Sequence, residues 1–116
     1  LLLEDPLVAV LAESGVVRRL LLYLLEAHRF RVLLARDVEG LLRLLKSRPK
    51  GVILQGEKAV EAARKVRATP EGRLASLYLV SETPPGLLLR PLRLLHLPKP
   101  LRSQEVLKAL EPLRRG

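Results

Sequence analysis

Five short, mostly apolar runs separated by longer amphipathic stretches constrain this chain more than any other feature. The runs are Leu7–Leu11, Arg31–Ala35, Gly51–Leu54, Leu74–Val80 and Leu94–Leu97. A continuous apolar run of strand length reads as a buried strand, and its alternation with amphipathic helices is the signature of a layered α/β fold with a parallel sheet. The 116 residues suffice for a single core, so residues 1–116 are expected to form one domain. Apolar residues at 48% and charged residues at 28% place the chain among globular proteins rather than disordered ones.

The stretches between the runs carry helix signals. Ser14 and Gly15 suit a helix start, and residues 16–28 put Val16, Val17, Leu20, Leu21, Leu24 and Leu25 on the inward side. Asp37 is an N-cap for Val38–Ser47, which Pro49 closes. The next helix spans Glu57 to about Arg67, with Ala59, Val60, Ala63 and Val66 inward. Thr83-Pro84-Pro85-Gly86 and Pro91 then interrupt Ser81–Leu92, so a short or missing helix is expected there. Ser103 is the expected N-cap of the last helix, whose stripe is Val106, Leu107, Leu110 and Leu113 and whose final turn Pro112 frays.

Several function classes fall away. With no cysteine and only His28 and His96, neither disulfides nor a zinc site are expected. No uncharged apolar stretch reaches the roughly 18 residues of a membrane span, and Glu4 and Asp5 stand where a secretory signal carries basic residues, so a cytoplasmic protein is expected. The absence of asparagine, cysteine and methionine beside abundant arginine points to a thermophilic or high-GC source. No Ser-His-acid set, Gly-rich phosphate loop or paired carboxylates occur, so the chain is not expected to be an enzyme.

The net charge is +9 but unevenly spread: residues 1–27 sum to −2 and residues 28–50 to +5. Tyr23, Phe30 and Tyr78 are the only aromatic residues and sit among aliphatic neighbours, which leaves no platform for base stacking. Lys46, Arg48 and Lys50 cluster around one loop and could contact phosphates without reading sequence, so nucleic acid is an alternative partner.

Ligands of doubly wound folds bind at the carboxyl ends of the strands. The residues just beyond the runs are Ala12, Glu13 and Ser14, then Gln55 and Gly56, then Ser81 and Glu82, then Lys99 and Pro100. From Leu7 to about Leu113 the arrangement resembles the receiver domain of two-component response regulators, and Lys99-Pro100 is its most specific anchor. The resemblance implies a flavodoxin-like, doubly wound five-stranded parallel sheet with a shortened or missing fourth helix. It also implies a phospho-acceptor aspartate ending the third strand, an acidic pair binding magnesium after the first, a hydroxyl ending the fourth, and a lysine contacting the phosphoryl group.

Here the acceptor position is Gln55, the acidic pair is Ala12 and Glu13, the hydroxyl is Ser81, the lysine is Lys99, and His96 matches a variable aromatic switch position. The amide of Gln55 cannot form an acyl phosphate, and Glu13 with one amide oxygen offers little to magnesium, so no cofactor is expected. Gln55 reads either as a leftover polar residue or as a phosphate-free mimic of one signalling state. Lys99, with no phosphate to hold, is expected to pair with Glu13. The resulting expectation is a phosphorylation-independent pseudo-receiver acting through protein contacts in signalling or transcription. Its partner or homodimer face would comprise Leu87, Leu88, Leu89, Leu92, Arg93, Arg102 and the last helix.

Overall fold

The structure, a computed structural model, describes residues 5–115. Five strands, β1 (Leu7–Ala12), β2 (Arg31–Leu34), β3 (Gly51–Gln55), β4 (Ser76–Ser81) and β5 (Leu94–Pro98), pair in parallel in the order β2-β1-β3-β4-β5. Among the described residues the α-helices are α1 (Gly15–Ala27), α2 (Val38–Leu44), α3 (Ala59–Arg67) and α4 (Ser103–Leu110). This is the parallel α/β sheet expected from the apolar runs, in the doubly wound form that the receiver resemblance implies.

Alternate residues of each strand enter two separate cores, as the period of two requires. Val8, Val10, Ile53, Tyr78, Val80 and Leu97 pack with α1 and α4, whereas Ala9, Leu11, Val52, Leu54, Leu77 and Leu79 pack with α2 and α3. Two side-chain caps fall where the sequence puts them. Ser14 Oγ accepts from the Val17 N–H at 3.3 Å, and Asp37 Oδ1 from the Gly40 N–H at 2.7 Å. Between β4 and β5 the prolines reduce the helix to a 3-10 turn, Leu87–Leu92. After Leu110 the chain tightens into another such turn holding Pro112.

Several expectations are corrected. Val16 is 69% exposed and Leu20 40%, because the sheet covers only the narrow arc of Val17, Leu21, Leu24 and Leu25. On α3 it is Ala62 rather than Val60 that is fully buried, and the helix begins at Ala59, not Glu57. β4 begins at Ser76, leaving Leu74 87% exposed in the connection. The extended residue before α4 is Arg102, without a side-chain cap, and Ser103 lies inside the helix.

Because all strands run parallel, every helix-to-strand connection lies at one edge of the sheet. Hydrogen bonds from Arg31 N to Pro6 O, Lys50 N to Leu7 O and Ser76 N to Lys50 O tie these connections side by side. That edge gathers Arg29 and Arg31, then Lys46, Arg48 and Lys50, then Arg67 and Arg73, then Arg90 and Arg93, and finally Arg114 and Arg115. Against these eleven cations stand Asp5, Glu26, Glu71 and Glu111 among the described residues, so this edge carries a net +7 there. Arg29, Lys46, Arg48, Lys50, Arg73, Arg90 and Arg115 are exposed, with no side-chain hydrogen bond or ion pair among the described residues.

Candidate functional site

The opposite edge, at the carboxyl ends of the strands, holds the residues singled out in the sequence. Strand register sets Ala12 beside Gln55, Gln55 beside Val80, and Ser81 beside Pro98. Backbone bonds extend the ladder outward, from Glu13 N to Gln55 O at 3.1 Å and from Lys99 N to Ser81 O at 3.2 Å. The Lys99-Pro100 peptide bond is cis.

Within this row the polar side chains bond to the protein itself. Gln55 Oε1 accepts the Ser14 N–H at 2.9 Å, tying the end of β3 to the start of α1. Glu13 Oε2 accepts the Lys58 N–H at 2.9 Å. Lys58 precedes α3 without a side-chain cap of its own. Glu13 therefore brings a carboxylate from the end of β1 to the positive end of α3, where a helix favours negative charge. The carboxylate lies across Gly56, whose φ is +118° and where a Cβ would stand 2.4 Å from Glu13 Cδ. Only glycine fits both the backbone and the approach.

Arg18 Nη1 donates to Ala12 O at 3.0 Å, which puts a guanidinium at the strand end where an acidic side chain is lacking. Ser81 Oγ donates to Thr83 O at 2.7 Å. His96 Nε2 lies 2.9 Å from Ser81 O, and since a carbonyl only accepts, Nε2 carries the hydrogen. Lys99 is exposed, and no ion pair joins it to Glu13. The expected Glu13–Lys99 pair is thus not formed, because the Lys58 amide and Gly56 hold the carboxylate on the α3 side.

The structure thus brings Ala12, Glu13 and Gln55 into one bonded group and Ser81, His96, Lys99 and Pro100 into another. A recess of about 290 Å³ opens beside the first, lined in part by Glu13, Asp37, Gln55 and Lys58. Sequence reasoning missed the amides of Ser14 and Lys58, since every residue but proline carries one, and Arg18, one of many arginines. Gly56 directly after a strand was the readable hint.

No protein-family model matches the sequence, and no curated protein matches it either. Solved structures do match in fold. The chemotaxis response regulator CheY4 of Vibrio cholerae superposes with a TM-score of 0.81 at 17% identity, covering 94% of this chain and 98% of that one. The signal receiver domain of an HD domain-containing protein from Pseudomonas fluorescens gives 0.79 at 21%, covering 99% and 90%. A sensor protein from Polaromonas gives 0.83 at 18%, covering 95% and 97%. The chain has the flavodoxin-like receiver fold of CheY-type response regulators. No helix among the described residues is long and apolar enough to cross a membrane.

Proposed function

We propose that this domain regulates by protein contact in a two-component type of signalling, without phosphorylation of its own. One observation carries the reading: the residue ending β3 is Gln55, and its side-chain oxygen is engaged by the Ser14 N–H. A neutral amide whose nitrogen lone pair is delocalised is not a nucleophile toward phosphorus.

The surrounding donors do not fit a magnesium ion. Magnesium takes oxygen ligands in near-ideal octahedral geometry, with one or two carboxylates. Here Ala12 has no side-chain oxygen, Glu13 Oε2 is held by Lys58, and the Arg18 guanidinium lies on the Ala12 carbonyl.

The contact face is the one around the 3-10 turn and α4, and we propose a second copy of the chain as its occupant. Leu88 is 92% exposed and Leu87 79% in the turn, Leu95 is half-exposed on the outermost strand β5, and exposed apolar surface of this kind marks an interface. Of the other residues expected on this face, Arg93 and Arg102 are exposed and Leu89 is half-buried. Leu92 does not belong to it, being buried in the core with α2 and α3.

The test is light scattering with intact-mass measurement, before and after incubation with magnesium and acetyl phosphate. A dimer whose mass is unchanged by the phosphodonor, and which Leu88→Glu converts to monomer, is the expected result. A phosphoryl adduct on the native chain, or a monomer throughout, overturns the reading.

A further inference from the structure

We propose that the sheet edge at the amino ends of the strands binds the phosphate backbone of duplex nucleic acid without reading sequence. The inference goes beyond the regulatory reading and does not rest on it; the two surfaces meet at Arg90 and Arg93, around the end of the 3-10 turn.

Charge concentration is the first support. Among the described residues a net +7 on one edge, with seven of the eleven cations exposed and unpaired, repels itself and attracts a polyanion. The segments bearing it are knitted into one surface. Arg93 Nη2 donates to Arg73 O at 2.5 Å, the Arg114 side chain donates to His28 O, and Lys50 and Arg115 line a shared recess of about 440 Å³. Glu71 lines the same recess, and Glu111 is occupied by Arg114 at 3.6 Å.

Backbone conformation is the second support. The non-glycine residues with positive φ are Arg29 at 65°, Arg48 at 54° and Arg93 at 52°, each at the exit of a helix or 3-10 turn on this edge. A left-handed backbone disfavours any residue with a Cβ, and glycine is the usual occupant of such exits. At all three the chain keeps an arginine instead. Basic residues near helix ends do complement the helix dipole. That effect is equally available from positions with ordinary backbone, so it does not account for the left-handed ones.

Duplex nucleic acid suits the surface better than other polyanions. Nine of the eleven cations are arginine, whose planar fork matches phosphate oxygens. The one aromatic residue there, Phe30, is buried beneath the Arg114 guanidinium, 4.2 Å from the ring centroid, so single strands find nothing to stack on. Leu74 is the only large apolar side chain exposed on this edge among the described residues, too little to anchor in a bilayer.

The experiment is fluorescence anisotropy of a labelled random-sequence duplex of roughly 15 base pairs, longer than the 42 Å molecule at about 3.4 Å per pair, titrated between about 50 and 200 mM NaCl. Expected is binding whose log–log salt slope is no steeper than about −6, the limit set by seven phosphate contacts. Arg29→Gly/Arg48→Gly should make the slope shallower by about 2 while leaving the Tm equal or higher, because glycine adopts the left-handed backbone freely. Arg19→Gln/Arg36→Gln removes the same charge far from this edge and should leave the slope unchanged. The proposal is overturned by absent binding at 50 mM salt, by equal slopes for the native chain and Arg29→Gly/Arg48→Gly, or by a Tm that drops together with affinity. Sedimentation with phosphatidylserine vesicles but no duplex binding would also overturn it, in favour of a membrane surface.

Discussion

Tyr78 shows how one side chain can close a helix and set a pH limit. Its ring is buried in the core with α1 and α4, and its hydroxyl donates to Ala109 O at 3.0 Å. Ala109 lies in the last turn of α4, where carbonyls have no partner within the helix. Tyr78→Phe should therefore cost about 1–2 kcal/mol at neutral pH. Burial holds the Tyr78 pKa above its ordinary value of 10.0, with a hydrogen bond from Ser76 pulling weakly the other way. A raised folded pKa means that the native state keeps the proton longer than the unfolded chain. Its stability is therefore intact below pH 10 and is lost as pH rises from there through the folded value. Denaturant titrations should show the gap between native chain and Tyr78→Phe narrowing above pH 10. A constant gap up to pH 11 would count against a desolvated hydroxyl. None of this was legible beforehand, because an aromatic residue in an apolar run announces burial but not the carbonyl its hydroxyl meets.

Between elements, Arg67 joins what the strands and helices leave open. From the end of α3 it donates to Leu92 O at 2.9 Å, Gly72 O at 3.1 Å, Arg73 O at 3.1 Å, Ala75 O at 2.6 Å and Arg93 O at 3.4 Å. Burial, aided by the neighbouring Arg93 charge, lowers its pKa. One side chain thus fastens the connection into β4 and the shortened turn into β5. Arg67→Ala should destabilise by about 2–4 kcal/mol and open both connections to protease, and Arg67→Lys should recover less than half, since an ammonium cannot span the same carbonyls. Equal stability of the native chain and Arg67→Lys in urea would show that a single contact suffices. At this scale the sequence was legible wherever burial on both faces forces a continuous apolar run, as in Val8–Leu11 and Val52–Leu54. It was less legible where the solvent boundary decides. Val16 and Leu20 continue the apolar pattern of α1 beyond what the sheet can cover, and Leu74 abuts β4 without entering it. Of the candidate site, the row of strand ends could be placed because parallel topology fixes it. The partners of Glu13 and Gln55 could not, because they are backbone amides.

For the molecule as a whole, parallel topology gathers both the strand ends and the helix exits at opposite edges, so a charge bias in the connections becomes a charge polarity of the fold. Among the described residues the ion pairs that offset it are sparse. They are Lys65–Glu61 at 3.9 Å and Arg114–Glu111 at 3.6 Å, both within a helix or turn and at least partly exposed. Exposed pairs of this kind contribute little. Repulsion at the basic edge acts against the fold. The Debye length shrinks from about 30 Å at 0.01 M to about 8 Å at 0.15 M salt. The molecule measures 42 × 32 × 24 Å, so low salt lets charges act across the edge while physiological salt confines each to its neighbours. Thermal unfolding should therefore move to higher temperature between about 10 and 150 mM NaCl, by roughly 1 kcal/mol of stabilisation at the transition. Arg29→Gly/Arg48→Gly should flatten that rise, and Arg19→Gln/Arg36→Gln should leave it nearly as steep. A Tm that falls with added salt would mean that attraction across the fold outweighs the repulsion at its basic edge.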